Sequence, residues 1–428
     1  MSEYTPIEIP SKPSKDLVKG FAKFTENKET EETEEIQKLI NKLQNNMKGK
    51  NIKVKMDIKQ KFKNLMEQYG IKGEVKEYSQ ITNGHINETY YVLVGNGASG
   101  NHPYVFQKVN TYVFKEPIKV MNNIMMIDNF IKNNQKTSAC KIITFLVNSE
   151  YKNYTITEEG EFWRLCIFEE NTVTFEVVEN PAILRSSGYA FGDFLNVIGD
   201  FPAERLNITI PDFHNTRKRL ENFFAVVEKD ECNRAKDVKD EIKVFEKHRD
   251  FCCKLTDMAD AGKLPLRPVH NDTKYNNILL DKDTFEPVCV LDLDTIMPGL
   301  VAHDFGDAIR FAANRAAEDE VDLGKVYLDF DYFKEFTEGF TGAIGKSLTD
   351  AEIETLALGA PTITFELASR FLADHIDGDR YFAIHRENHN LDRARCQMKL
   401  AADMMDKLEL MCDFVQKSVG KTVKNKYI

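Results

Sequence analysis

His270-Asn271-Asp272-Thr273-Lys274-Tyr275-Asn276-Asn277, followed by Val288-Cys289-Val290-Leu291-Asp292, decides the fold of this chain. A histidine, an aspartate two residues on and an asparagine five past the aspartate have the spacing of a phosphoryl-transfer loop. A second aspartate ends the next apolar strand. Phosphoryl transfer asks little covalent chemistry of a protein. It needs a carboxylate that orients and deprotonates the attacking hydroxyl, and oxygen ligands that hold Mg²⁺ against nucleotide phosphates. Ile278–Leu280 and Val288–Leu291 flank a polar turn ending in Pro287, so they read as a hairpin. Such a hairpin holds Asp272 and Asn277 at one mouth and returns Asp292 to it. On this reading Asp272 is the general base, Asn277 and Asp292 are metal ligands, and Lys274 contacts the γ-phosphate. His270 braces the loop by hydrogen bonds.

Each part alone says little. A loop aspartate is more often an Asx-turn than a base, and His-x-Asp is common. The full order of loop, strand, turn, strand and second aspartate carries the inference. Asp294 either solvates the loop or supports the metal site from behind. Asp292-Leu293-Asp294 also fits the metal-diphosphate motif of nucleotide-sugar glycosyltransferases. That rival leaves Asp272 and Asn277 unexplained, and the preceding half lacks the alternating strand–helix units of a parallel sheet.

Outward from the loop, the chain divides. Residues 1–56 are charge-dense, with ENKETEETEE at 26–35, and read as a mobile N-terminal extension holding a short amphipathic helix near Ile36–Leu43. Residues 57–170 read as a nucleotide-covering lobe: a helix over Ile58–Tyr69, then strands at Val75–Ile81, Thr89–Val94 and Tyr104–Val109. A helix at Pro117–Lys132 and strands at Lys141–Val147, Tyr154–Thr157 and Phe162–Phe168 follow. Residues 171–428 turn helical, with periodicity over 182–197, 216–229, 238–261, 330–342, 350–374 and 390–415. Only the two strands of the loop hairpin break that half. The fold class is α+β: a two-lobed, protein-kinase-like architecture.

In the first lobe the turn Thr82–Asn87 is the candidate phosphate cover, through Gly84, His85 and Asn87. With one glycine it equally fits a plain hairpin turn. Lys108 is the candidate phosphate-binding lysine of the third strand. The acid expected to pair with it is missing from the next helix, where Asp128 is the only one between Met121 and Phe130. Glu170, at the lobe junction, is placed beside the adenine.

Bulk numbers exclude other classes. The 428 residues carry a formal charge of −11 and a pI near 5.5, which argues against a nucleic-acid binder. No run reaches membrane-spanning length, and the start, Met1-Ser2-Glu3-Tyr4, has no apolar targeting core. The eight cysteines lack zinc spacing and read as reduced thiols. A cytoplasmic chain follows, with a monomer favoured and a small molecule as its partner.

The motifs HNDTKYNNILLD, VLDLDTIMP, HDFGDAIRF, RFLADHIDGDRYF and HNLDRARCQMKLA, with ITNGHINETYYV and YVFQKVNTYVFKEP upstream, resemble the aminoglycoside phosphotransferase-like superfamily. Within it they are similar to the N-acetylhexosamine 1-kinases. The resemblance runs from about Ile58 to about Leu410. It implies ATP- and Mg²⁺-dependent phosphorylation of the anomeric hydroxyl of N-acetylglucosamine or N-acetylgalactosamine. It places Asp272 on the catalytic aspartate, Asp292 on the metal aspartate and Asn277 on the asparagine after the base. Arg370 and Tyr381 fall on positions that hold the sugar, Phe311 on a pocket wall, and His85 on the histidine of the glycine turn. Asp307 is placed with the substrate residues. Read structurally, Arg370 is an ion pair with Glu366 four residues before it, Tyr381 and Phe311 are core aromatics, and Asp304 and Asp307 cap a helix or tie down the loop. The alternatives are a kinase of the same fold for another small alcohol, or a nucleotide-binding pseudokinase scaffold.

Overall fold

Residues 57–82, 86–97, 100–133 and 138–423 are described by the computed structural model of the chain. The expected N-terminal extension, and Gly84 and His85 of the turn, lie outside them. The described residues form two compact units. The first runs to His102 and adds Phe106–Val109 and Val147–Arg164; the second holds Pro103–Val105, Asn110–Leu146 and the chain from Leu165 on. The division falls differently from the boundary expected at residue 170, because 110–146 groups with the second unit.

In the first unit α1 (Ile58–Gln68) is capped by Asp57 and lies on a sheet of order β1-β2-β3-β6-β5. Its strands are β1 (Glu74–Ile81), β2 (Glu88–Gly95), β3 (Asn101–Lys108), β5 (Thr155–Ile156) and β6 (Phe162–Ile167), the last two joined by the turn at Gly160. Phe62 is the fastener. It is fully buried, and its ring meets Tyr78, Tyr90, Phe106 and Trp163 edge-on at 5.2–6.2 Å. Burial of that area, plus the edge-on contacts, makes it worth about 3–5 kcal/mol against truncation to alanine.

The second unit begins with α2 (Pro117–Asn133) and β4 (Lys141–Ile142) and continues after β7 (Thr172–Val173). Helices α3 (Pro181–Ile198), α4 (Thr216–Lys229) and α5 (Lys239–Asp260) lead to β8 (Arg267–Val269). The hairpin expected after the catalytic loop is present as β9 (Ile278–Asp281) and β10 (Pro287–Val290), antiparallel, inside a sheet of order β4-β10-β9-β7. Three strands of this half were not expected: β7, β8 and β11 (Met297–Gly299). β8 pairs antiparallel with β11, setting Pro268 opposite Pro298. Proline hides a strand from its sequence because it lacks the ladder's N–H donor.

Helix α6 (Val301–Ala312) was not among the periodic stretches; Asp304 and Asp307, weighed as its caps, lie inside it, Leu300 is its N-cap, and α7 (Phe330–Ile344) follows. The single helix expected over 350–374 is two, α8 (Asp350–Thr355) and α9 (Gly359–Ile376), with a 3₁₀ turn between. The break lets α9 press onto α6. A Cβ on Gly359 would collide with the carbonyl of Ala302, and one on Gly306 with the backbone of Gly359. The stretch 390–415 likewise divides into α10 (His389–Asp406) and α11 (Leu408–Val419). No helix among the described residues is long and apolar enough to cross a membrane, and all eight cysteines are free thiols.

Candidate active site

The loop between β8 and β9 is held from three sides. Asp304, fully buried in the first turn of α6, accepts the backbone N–H of His270 at 2.7 Å and of Asn271 at 2.8 Å. Thr273 donates its hydroxyl to the Asp304 carbonyl, and Thr295 donates to the His270 carbonyl at 2.7 Å. The Asn271 amide reaches the Thr295 carbonyl at 2.8 Å. Asn271 itself sits at φ +66°, a left-handed conformation that asparagine tolerates better than most residues. These bonds aim the next residue, Asp272.

His270 is wedged between Phe191 and Phe194 of α3. Its Nε2 lies 2.8 Å from the Leu291 carbonyl, and its Nδ1 accepts from the Asp272 N–H at 3.3 Å. One nitrogen donates and the other accepts, which is the neutral imidazole. Burial also lowers its pKa. His270 thus braces the loop, as expected from the sequence.

The Asp272 carboxylate is engaged on both oxygens. Lys274 Nζ stands 3.0 Å from Oδ1, and Asn277 Nδ2 donates to Oδ2 at 3.2 Å and to the Asp272 carbonyl at 2.9 Å. Burial pulls the Lys274 ammonium down, but Asp272 and Asp307 outweigh it and leave its pKa raised. The Leu291 N–H donates to the Asn277 carbonyl at 2.8 Å, so the hairpin brings Asp292 back beside Asn277. Asp292 is exposed and left-handed, at φ +53°. With its Nδ2 turned to Asp272, Asn277 has its oxygen left for a ligand. One amide oxygen and one carboxylate are hard donors of the kind Mg²⁺ takes when phosphates complete its shell.

Asp307 does not face the loop alone. Arg310, buried one turn on, holds it at 2.9 Å and also reaches Glu318 at 3.2 Å. Burial pushes the Asp307 carboxyl up, but Arg310 and Lys274 bring it below the ordinary range. Phe311, on the same helix, packs on Tyr275 of the loop with ring centres 4.8 Å apart.

Arg370 and Tyr381 sit elsewhere, in a hollow of about 240 Å³ that neither Phe311 nor Asp307 lines. Arg219 and Arg370 line it together with Asn222, Ser369 and Phe382. The expected ion pair of Arg370 with Glu366 is absent. Glu366 bonds instead to His214 and Thr216, and Arg370 lies over the Phe382 ring at 5.4 Å. Burial and the neighbouring Arg370 both lower the pKa of Arg219, which donates to the Phe213 carbonyl at 3.0 Å. The acids at the hollow are already used. Asp374 accepts from the N–H groups of Arg380, Tyr381 and Phe382 and from Asn390, and Asp377 pairs with Arg380. Two arginines and two aspartates thus line the hollow, and the guanidinium groups of Arg219 and Arg370 are not tied to the aspartates. Tyr381 is 75 % exposed and forms its rim, not a core contact.

In the first unit Lys108 meets acids other than those of the following helix. Its ammonium is 2.5 Å from Glu88 and 3.6 Å from Glu161, while Asp128 pairs with Lys132. Strand alternation puts Lys108 on the face of Phe106, which α1 covers. The opposite face carries a cross-strand row: Arg164 donates to Gln107 at 2.8 Å, and Gln107 to Thr89 at 2.8 Å. Asn87 precedes β2 and is half-buried, and Glu170 is exposed beside β7. Sequence reasoning missed His214, whose partners lie far off in the chain, and Arg219 and Arg310, whose partners are local but whose burial no motif marks.

The model of the phosphotransferase enzyme family matches residues 77–335. Among solved structures, a microcompartment-associated aminopropanol kinase superposes with a TM-score of 0.55 at 12 % identity, over 81 % of this chain and 98 % of that one. Amicoumacin kinase, solved with AMP-PNP, Ca²⁺ and Ami, gives 0.51 at 12 % identity, over 84 % and 96 %. An aminoglycoside phosphotransferase from Alicyclobacillus acidocaldarius gives 0.51 at 13 % identity, over 81 % and 93 %. At such identities the likeness is one of fold: an antiparallel sheet region followed by a helical part, shared with these kinases.

Proposed function

We propose for this chain, which belongs to the phosphotransferase enzyme family, transfer of the γ-phosphate of ATP to the anomeric hydroxyl of an N-acetylhexosamine. The observation that carries the transfer is the Lys274–Asp272–Asn277 cluster. A carboxylate fixed on both sides, on a loop that Asp304 pins, is a positioned base of the kind that typically contributes about 10²–10⁴-fold. In the reaction the acceptor oxygen bonds to the γ-phosphorus as the bond from phosphorus to the β,γ-bridging oxygen breaks. The hydroxyl proton goes to Asp272 and ADP leaves. Lys274 offsets charge on the transferred group, and Asn277 and Asp292 would hold Mg²⁺, which neutralises the phosphates.

The acceptor class is read from the hollow of Arg219 and Arg370. Arg219 bonds to the Phe213 carbonyl and Arg370 lies over the Phe382 ring, so both guanidinium groups keep N–H donors for an acceptor. They donate readily to hydroxyl and amide oxygens of a neutral sugar. The apolar faces of Phe382 and Phe223 in the hollow suit a sugar ring or acetyl methyl. The reading includes a monomer working in the cytoplasm, in keeping with eight free thiols.

The test is turnover with ATP and Mg²⁺ on matched acceptors: N-acetylglucosamine and N-acetylgalactosamine against ethanolamine and aminopropanol. Turnover confined to the sugars supports the reading. Turnover confined to the amines sinks the acceptor assignment while keeping the phosphotransferase.

A further inference from the structure

His214, just before α4, has oxygen at both ring nitrogens. Nδ1 lies 3.0 Å from Oε1 of Glu366 on α9, and Nε2 lies 3.2 Å from the carbonyl oxygen of Asn271 in the catalytic loop. A backbone carbonyl can only accept. The other Glu366 oxygen accepts the Thr216 hydroxyl at 2.6 Å. With the Thr216 hydroxyl already donating to it, Glu366 as a carboxylate can only accept as well. A neutral imidazole offers one N–H; two acceptors require two.

We propose that His214 is a buried imidazolium that positions the catalytic loop, clamping Asn271, and with it the neighbouring Asp272, to Glu366 of α9. The other groups around it agree with that charge. His303 of α6 lies with its ring 5.5 Å away, has a buried Nε2 without a partner, and is pushed down by burial to about 3, so it stays neutral. Asp304 and Asp307 of α6 complete the field, and both feel the charge of His214. His270 is neutral by its own hydrogen bonds. Of the three histidines beside the loop, only His214 is charged.

The clamp also joins the loop to the hollow of Arg219 and Arg370. Arg219, which lines the hollow, donates Nε and Nη2 to the carbonyl of Phe213, the residue before His214. Glu366 lies one helical turn before Arg370 on α9, about 6 Å along the axis. His214 touches no reacting atom; it acts through Asn271. Burial alone would lower its pKa, but Glu366 outweighs burial and raises it. The sign is that of a cation gaining a partner. The clamp is whole below the ordinary histidine pKa of about 6.5 and is lost as pH rises through the raised value.

Two measurements on the full chain decide the matter. In the first, ¹⁵N-labelled protein is titrated by NMR and the His214 ring is assigned by its loss in His214→Gln. Both nitrogens should carry protons at pH 7, and the ring should titrate above the exposed histidines. A neutral tautomer at pH 7 overturns the proposal, whatever the enzyme's acceptor. The second measurement rests on Asp272 being the base and uses N-acetylglucosamine with ATP and Mg²⁺. His214→Gln should lower kcat by about 10²-fold, the scale of a misplaced catalytic group, and leave the KM for ATP unmoved. His214→Arg, which offers N–H donors that do not titrate, should recover most of kcat and abolish the alkaline fall in rate. Equal loss in both variants, or an alkaline limb that persists in His214→Arg, overturns the role. Should no variant or wild type turn the sugar over, the NMR result stands alone and the acceptor reading is what has failed.

Discussion

Asp304→Asn should loosen the catalytic loop without touching a reacting group. The wild-type carboxylate accepts two backbone N–H groups, from His270 at 2.7 Å and from Asn271 at 2.8 Å. An asparagine keeps one oxygen and turns an amide N–H₂ toward the other donor. One charge-assisted bond, worth about 1.5–3 kcal/mol, is lost, and a buried N–H is left unsatisfied. The amide also escapes the cost of burying a charge, which is large enough here to push Asp304 up to about 7. The net loss is about 1–3 kcal/mol. It should appear locally, as amide exchange of His270 and Asn271 about 5- to 150-fold faster. The pH dependence has a definite sign. A carboxyl whose folded pKa is raised favours the folded state in acid and loses that advantage as pH rises through about 7, a slope the asparagine variant should lack. Exchange at these two amides unchanged from wild type would refute the cradle assigned to Asp304.

Other variants address other parts of the account. Asp272→Asn should abolish turnover while nucleotide affinity measured by calorimetry stays near wild type; loss of folding instead would count against a base. Gly359→Ala should lower the urea midpoint by the equivalent of about 1–3 kcal/mol, because the new methyl meets the Ala302 carbonyl and α9 must move off α6. Arg370→Gln should raise the KM for the sugar at least as much as it lowers kcat, since the hollow is assigned to binding. Lys108→Ala should move the KM for ATP by no more than about threefold, because its ammonium is spent on Glu88 and Glu161 under α1.

The loop and its hairpin were legible in the sequence because their chemistry is local. Asp272, Lys274, Asn277 and Asp292 lie within one strand–turn–strand unit, where spacing fixes proximity. What holds the loop was less legible. Asp304 lies 34 residues from its first partner, and His214 is bonded to residues 57 and 152 positions away. No periodicity marks such pairs. Lys108 shows a second limit. The sequence fixes that it lies on a strand beside Phe106, but the acids it meets come from other strands. Arg370 and Glu366 show a third. Spacing of four on a helix permits an ion pair, and here the carboxylate is taken by His214 first. The prolines of β8 and β11 masked a strand pair for a local reason, the missing donor.

The central claim is tested most directly by locating the phosphate. Wild-type protein is incubated with ATP, Mg²⁺ and N-acetylglucosamine, and the product is examined by ³¹P and ¹H NMR. The account predicts a phosphate coupled to the anomeric proton. Phosphate on any other oxygen, or no product while ATP remains tightly bound, would contradict it.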